Sequence, residues 1–166
     1  MLQIFTTGGT IDKVYFDAKS DFKVGDPQIA EILTEVGVTF DYRVETLLRK
    51  DSLEITPDDR ARLVQRVLDA EADRVLITHG TDTMAVTGRA IEAALRFQPA
   101  STKTVVLVGS LTPARFRHTD AEFNIGFAVA AVQTLPPGVY VAMNGHVFPA
   151  SAVRKNRAAN RFEPTM

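Results

Sequence analysis

Two apolar runs in this chain stop in the same way. Gln3-Ile4-Phe5-Thr6 leads into Thr7-Gly8-Gly9-Thr10-Ile11-Asp12, and Val75-Leu76-Ile77-Thr78 leads into His79-Gly80-Thr81-Asp82-Thr83-Met84. Short apolar runs bounded by turn residues fit strands covered on both faces, as in parallel sheets flanked by helices. Both runs end in glycine followed by hydroxyl residues. Glycine at a strand end admits positive φ and lets backbone or ligand approach closely. The turns then hold N–H groups and threonine hydroxyls open above the sheet. Two strand ends with one grammar imply one site at one sheet edge.

The rest of the chain fills in such a sheet. Residues 12–25 are polar and aromatic by turns, without a clean period, and their length suggests a lid. Asp26-Pro27 reads as a cap and first helical position. The helix it opens runs to Val36 with Ile29, Ile32, Leu33 and Val36 on one face. A second strand is expected over 39–48, ending in Arg49-Lys50-Asp51-Ser52-Leu53. Thr56-Pro57-Asp58-Asp59 is a strong helix start, with the helix reaching about Ala72. A small-residue helix follows over 84–96, then an apolar strand over 105–109 ending in Ser110-Leu111-Thr112-Pro113. The helix over 123–135 is nearly all apolar, so it is buried in the fold or in an interface. A last strand over 139–143 precedes a tail, 147–166, that is basic around Arg154-Lys155-Asn156-Arg157. Alternating strands and helices predict an α/β fold: three layers, a mainly parallel sheet with helices on both faces, Rossmann-like or flavodoxin-like, in a single domain. Ligands on such folds bind beyond the carboxyl ends of the strands, where strand order reverses.

Composition narrows the function classes. The 166 residues suffice for one domain, and a net charge of −1 argues against a broad nucleic-acid or membrane surface. With no cysteine there is no disulfide, thiolate metal site or cysteine nucleophile. No cationic start leads into an apolar signal region, so a cytoplasmic protein is the expectation.

Side by side, the expected strand ends bring together Thr7-Gly8-Gly9-Thr10, Asp51-Ser52, Gly80-Thr81-Asp82 and Gly109-Ser110. This is a ring of hydroxyls, carboxylates and backbone amides. It lacks the glycine spacing of a dinucleotide fingerprint and the lysine of a phosphate loop. A hydroxyl nucleophile with an amide-lined oxyanion pocket fits these parts, and hence acyl transfer or hydrolysis. A free lysine titrates near about 10.4, about 4 kcal/mol from serving as a base at neutrality, so a Thr-Lys-Asp cluster reads as a proton relay. Plainer readings stand beside these. A lone Thr10 is more commonly a turn former or cap than a nucleophile. His79 reads first as a satisfied structural histidine, and isolated His118 and His146 give little support for a metal. The basic run Arg154–Arg161 is ordinarily a solvated face.

Taken together, Thr7-Gly8-Gly9-Thr10-Ile11 and His79-Gly80-Thr81-Asp82-Thr83-Met84 resemble the two signature motifs of the bacterial-type L-asparaginase/glutaminase family, in order and on the expected strand ends. Residues 105–113 also look like that family's next strand and loop. The resemblance runs to about Arg161. It implies a threonine-nucleophile amidohydrolase that releases ammonia from the side chain of L-asparagine through an acyl-enzyme, without a cofactor. Motif by motif, Thr10 matches the first nucleophilic threonine. Thr81 and Asp82 match the second threonine and its aspartate, and Lys155 lies where the family carries its catalytic lysine. Asp51-Ser52 matches the serine that holds the substrate α-carboxylate, and Asp82 is then expected to bind the α-ammonium. Gly9, Gly80 and Ser110 complete the expected substrate contacts. The family's lid tyrosine has no match at Phe22, so Tyr15 is the expected substitute, and Leu53 stands where a glutamine is frequent.

Most members are about twice as long, so the chain resembles a short, single-domain branch consisting of the N-terminal catalytic part. The implied partners are a small-molecule substrate and further copies of the chain, as a dimer or tetramer, with no nucleic acid and no membrane. The alternatives are a glutaminase or other small-amide hydrolase, and a non-catalytic aspartate or asparagine sensor. Nucleic-acid binding through Arg154–Arg161 is more distant.

Overall fold

The structure, a computed structural model, describes residues 1–15 and 22–165. Along the chain come β1 (Leu2–Gly8), a hairpin of β2 (Lys13–Tyr15) and β3 (Phe22–Val24), α1 (Ile29–Glu35), β4 (Tyr42–Lys50), α2 (Pro57–Asp69) and β5 (Arg74–Thr78). Then follow α3 (Met84–Leu95), β6 (Thr104–Val108), α4 (Ala121–Thr134), β7 (Gly138–Met143), β8 (His146–Pro149), β9 (Val153–Asn156) and β10 (Arg161–Pro164). The central sheet has six strands in the order β4-β1-β5-β6-β7-β8, parallel except for β8. Helices lie on both faces, and α3 and α4 each pack on β6 and β7. This is the expected α/β architecture. The chain steps from β1 out to β4 and back across to β5, so strand order reverses at β1. A crevice beyond the carboxyl ends of β1, β4 and β5 follows from that reversal.

The strands are where their apolar runs are. Val75, Leu76, Ile77 and all four apolar residues from Val105 to Val108 have no exposed surface. Each such side chain contributes about 1.5–3 kcal/mol when fully buried. The start of α2 follows its sequence signal. The Thr56 hydroxyl accepts from the Asp59 N–H at 3.1 Å, and the Asp59 carboxylate accepts from the Thr56 N–H at 3.0 Å. Lys50 at the end of β4 pairs with the same carboxylate at 2.7 Å, so the cap also fixes the strand end beside the crevice.

Some expectations change. Asp26 does not cap the first helix; its carboxylate pairs with Arg49 at 2.8 Å. The Gln28 N–H instead donates to Asp12, sixteen residues earlier, at 2.9 Å. A tertiary acceptor replaces the local one, and the helix begins at Ile29; it ends at Glu35, where the turn into Gly37 leaves Val36 exposed rather than on the apolar face. The aperiodic lid contains the β2–β3 hairpin, whose residues 16–21 lie outside the described residues. The second helix ends at Asp69 rather than near Ala72. The tail forms three strands: β8 extends the main sheet, and β9 pairs antiparallel with β10. Helix α4 begins at Ala121, two residues before expectation, and buries Ile125, Ala128, Val129 and Val132 within the domain. Its Phe123 remains exposed and stacks on Phe127, with ring centroids 6.1 Å apart.

Three turns interlock at the carboxyl ends. Gly8 and Gly9 have φ of +93° and +91°, which non-glycine residues rarely adopt. A Cβ on Gly9 would run into the Gly80 backbone, and one on Gly80 would lie 2.6 Å from the Ser52 Cβ. The ends of β1, β4 and β5 therefore approach more closely than side chains would permit.

Asp12 pins the base of the hairpin. It is buried, its carbonyl accepts from the Gly25 N–H at 2.8 Å, and its Oδ2 has no partner among the described residues. Burial pushes its carboxyl up to about 6, outweighing the Gln28 N–H and the positive Arg49, which both act to lower it. An acid raised in the folded state stabilises the fold below its unfolded value of 3.8 and loses that contribution as pH rises through about 6. Asp12→Asn stays neutral throughout. Its stability relative to the parent chain should improve by about 2.4 kcal/mol between pH 4 and pH 8 in urea unfolding; a constant difference would assign the titration elsewhere. Gly80→Ala should cost about 1–3 kcal/mol in the same assay, because Ser52 cannot yield without moving the end of β4.

Candidate functional site

The residues that carry chemistry gather over the crevice. Thr10 follows Gly9 and opens a single 3₁₀ turn, Thr10–Asp12. That turn is held by the Asp12 N–H on the Gly9 carbonyl at 3.2 Å and the Ala114 N–H on the Ile11 carbonyl at 3.1 Å. Because Gly9 packs on Gly80, Thr10 and Thr81 each lie one residue beyond the same backbone contact. The Gly9 N–H itself is committed to the Lys50 carbonyl at 2.9 Å, so that amide serves the fold.

The turn after β5 is set from beneath by His79, which is fully buried. Its Nδ1 lies 2.7 Å from the Gly80 carbonyl, so that nitrogen carries the proton. Nε2 then accepts from the Thr87 hydroxyl at 2.9 Å, and Thr87 in turn accepts from Arg60 Nε at 3.1 Å. Burial holds the imidazole down at about 4, with the positive Arg60 acting the same way against the Gly80 contact. His79 is thus a neutral structural histidine that orients the Gly80–Thr81 turn.

Lys155 reaches the site from β9. Strand alternation turns buried Val153 and Lys155 to one side, and Lys155 sits opposite buried Phe162 of β10. Asn160 closes the hairpin with φ of +47°, and the Phe162 N–H is held by the Asn144 carboxamide oxygen at 3.0 Å. The lysine Nζ donates to the Thr81 hydroxyl at 2.7 Å and to Asp82 Oδ1 at 2.9 Å. Its side chain is only 13% exposed. A sheltered ammonium needs such a counter-charge, since burying it unpaired would cost several kcal/mol.

Asp51 and Ser52 come from the end of β4. Asp51 caps the short turn Ser52–Glu54, accepting from the Leu53 N–H at 3.1 Å, and pairs with Lys13 of β2 at 2.9 Å. Partial burial would raise its carboxyl, but the Leu53 N–H, Lys13 and the nearby charge of Lys155 together hold it below the usual range. Ser52 is buried against Gly80, and its carbonyl accepts from the Thr83 hydroxyl at 2.8 Å. The Ser110 hydroxyl donates to the Thr112 carbonyl at 2.6 Å, and Gly109 before it adjoins Thr81. Leu53 is exposed. The Tyr15 side chain lies outside the described residues. Among the described residues no group of three or more His, Asp or Glu is placed to share a metal ion.

Three participants escape a motif reading. Lys13 and Asp51 are 38 positions apart and carry no local signal of their pairing. Asp12 follows the Gly-Gly turn but acts on Gln28. Arg157 contacts Asp82 Oδ1 at 3.3 Å through Nε. Its spacing of two from Lys155 is the available clue, hidden by a run of basic residues.

Residues 1–163 match the protein-family model described as "Asparaginase, N-terminal". The chain is 34% identical over 159 residues to the L-asparaginase of Thermococcus kodakarensis, covering 93% of this chain and 47% of that protein. It is 30% identical over 164 residues to a glutamyl-tRNA(Gln) amidotransferase subunit of Thermoplasma acidophilum, covering 94% of this chain and 39% of that one. The solved structure of the thermostable L-asparaginase from Thermococcus kodakarensis superposes with a TM-score of 0.81 at 29% identity, over 98% of this chain and 50% of that chain. The chain spans about half the length of the curated relatives it matches, or less. With its signature turns on adjacent strand ends and its lysine bonded to the second of them, the chain belongs to the asparaginase family, in the part that family calls N-terminal.

Proposed function

We propose that this chain hydrolyses the side-chain amide of L-asparagine to L-aspartate and ammonia. The observation that carries the reading is Lys155, bonded at once to the Thr81 hydroxyl and the Asp82 carboxylate beside the Thr10 turn. In this reading the Thr10 hydroxyl attacks the amide carbon and gives up its proton. The backbone N–H groups of Thr10 and Thr81 face the oxygen that becomes negative, where fixed dipoles are most effective. The C–N bond breaks, the leaving nitrogen takes the proton that Thr10 gave up and departs as ammonia, and an ester on Thr10 remains. Water then attacks the ester. Thr81, Lys155 and Asp82 form the relay that takes the water's proton and returns one to the Thr10 oxygen. Tyr15 assists Thr10 from the hairpin. Ser52 and the Gly80 turn seat the substrate carboxylate, and Asp51 closes the site to the hairpin through Lys13. No cofactor is invoked, and the reading places the protein in the cytoplasm as a homo-oligomer.

A second reading keeps the chemistry and changes the amide. The likeness to an amidotransferase component favours ammonia release from glutamine or another small amide. One methylene is worth only about 1–3 kcal/mol of discrimination, so substrate length is weakly specified by pocket residues alone. A sensor of aspartate or asparagine is the non-catalytic alternative.

Ammonia release from L-asparagine and L-glutamine separates these readings. Release from L-asparagine is expected, and Thr10→Ala and Lys155→Met should each lower it by roughly 10²–10⁴-fold, the range for removing a proton-transfer or nucleophilic group. Circular dichroism should show both variants folded. Undiminished turnover in either variant removes that residue from the mechanism, and melting shifts with L-aspartate without any ammonia would favour the sensor.

A further inference from the structure

The turn that carries Thr81 is held by a chain of hydrogen bonds that begins outside the crevice. Arg60 stands on α2 and donates from Nε to the Thr87 hydroxyl at 3.1 Å. Thr87, on the buried face of α3, donates to His79 Nε2 at 2.9 Å. His79 Nδ1 donates to the Gly80 carbonyl at 2.7 Å. The two ends fix the sense of the chain, because arginine can only donate and a carbonyl can only accept. Every group between them accepts once and donates once. A neutral imidazole meets that requirement with one nitrogen in each role. Burial holds His79 neutral, and the positive Arg60 acts the same way.

The chain ends on one atom of a rigid plane. The Gly80–Thr81 peptide is trans, so its carbonyl and its N–H point in opposite directions. The carbonyl is turned onto a fully buried ring. The Thr81 N–H is thus turned the other way, and among the described residues it has no hydrogen-bond partner. Beyond it, the Thr83 hydroxyl holds the turn to the Ser52 carbonyl at 2.8 Å. Rotating the peptide would leave the buried Nδ1–H of His79 unpaired, which is costly.

We propose that Arg60 and Thr87 are positioning residues for the reaction at this site: they lock the His79 ring and through it aim the Thr81 N–H at the oxygen of the bound amide. Both stand on helices, and neither takes part in the reaction itself. A fixed N–H stabilises charge that develops in the transition state, so loosening it lowers kcat and leaves KM nearly unchanged. The inference rests on the amide-hydrolysis reading for its effect on turnover, and on the hydrogen bonds alone for the direction of the N–H.

The test compares the parent chain with three variants. Thr87→Val keeps the shape and loses the hydroxyl, Thr87→Ser keeps the hydroxyl, and Arg60→Met lies at a half-buried helix position. Nitrogen NMR of isotope-labelled protein should find His79 neutral with its proton on Nδ1. In Thr87→Val the Thr81 amide signal should shift. Its kcat for ammonia release from L-asparagine should fall about tenfold, with KM changed by less than about twofold. Thr87→Ser should restore both, and Arg60→Met should move both in the direction of Thr87→Val. Should Thr87→Val not fold, Arg60→Met carries the same two readings. A proton on His79 Nε2 overturns the proposal, as does an unchanged Thr81 signal or an unchanged kcat in folded Thr87→Val. If the parent chain releases ammonia from no amide, the hydrolase reading falls and the Thr81 signal alone decides the positioning role. If ammonia is released and the Thr81 signal stays fixed, the hydrolase reading stands and the positioning role falls.

Discussion

The site depends on a place where side chains are missing. Gly9 lies against the Gly80 backbone, and Gly80 lies against Ser52. That contact draws the ends of β1, β4 and β5 together at the point where strand order reverses. Thr10, Ser52 and Thr81 are at this contact or one residue from it. Their closeness follows from backbone packing rather than from any attraction among hydroxyls. The network beneath, from Arg60 through Thr87 and His79 to the Gly80 carbonyl, holds the turn without using the residues above it.

The fourth component comes from outside the doubly wound pattern. Lys155 stands on a two-stranded hairpin anchored by Val153 and Phe162 in the core and by Asn144 at the end of β7. The sheet's strand ends supply hydroxyls, amides and carboxylates, and the hairpin supplies the ammonium. A hairpin rigidly seated by buried apolar groups can hold an ammonium in a sheltered position because Asp82 and Thr81 are already there to receive it.

Much of this could be read from residue order. Buried strands β1, β5 and β6 announce themselves as apolar runs, α2 announces its start by Thr56 and Pro57, and the crevice follows from strands ending in glycine and threonine. The motif residues Thr81, Asp82 and Lys155 could be named because the family pattern joins positions that local spacing does not. What resisted was tertiary. Asp12 displaced Asp26 as the acceptor at α1 because a buried carboxylate sixteen residues away competes successfully with a local one. The short strands β9 and β10 are too polar to show a clean alternation. Lys13 carries no local signal of its partner on β4, and Arg157, within a run that reads as a solvated face, meets Asp82 in the turn after β5.

Asp12 and His79 together have an effect that neither has alone. The acid sits at about 6 against an unfolded 3.8, and the imidazole at about 4 against 6.5. On acidification the folded chain takes up a proton at Asp12 that the unfolded chain does not yet hold, which favours the fold. Over nearly the same interval the unfolded chain takes up a proton at His79 that the folded chain refuses, which opposes it. Each amounts to about 3 kcal/mol, with opposite sign. The lid's anchor and the turn's support therefore act as counterweights. In mild acid the folded chain carries the extra proton at Asp12 and the unfolded chain carries it at His79, so the two contributions nearly cancel.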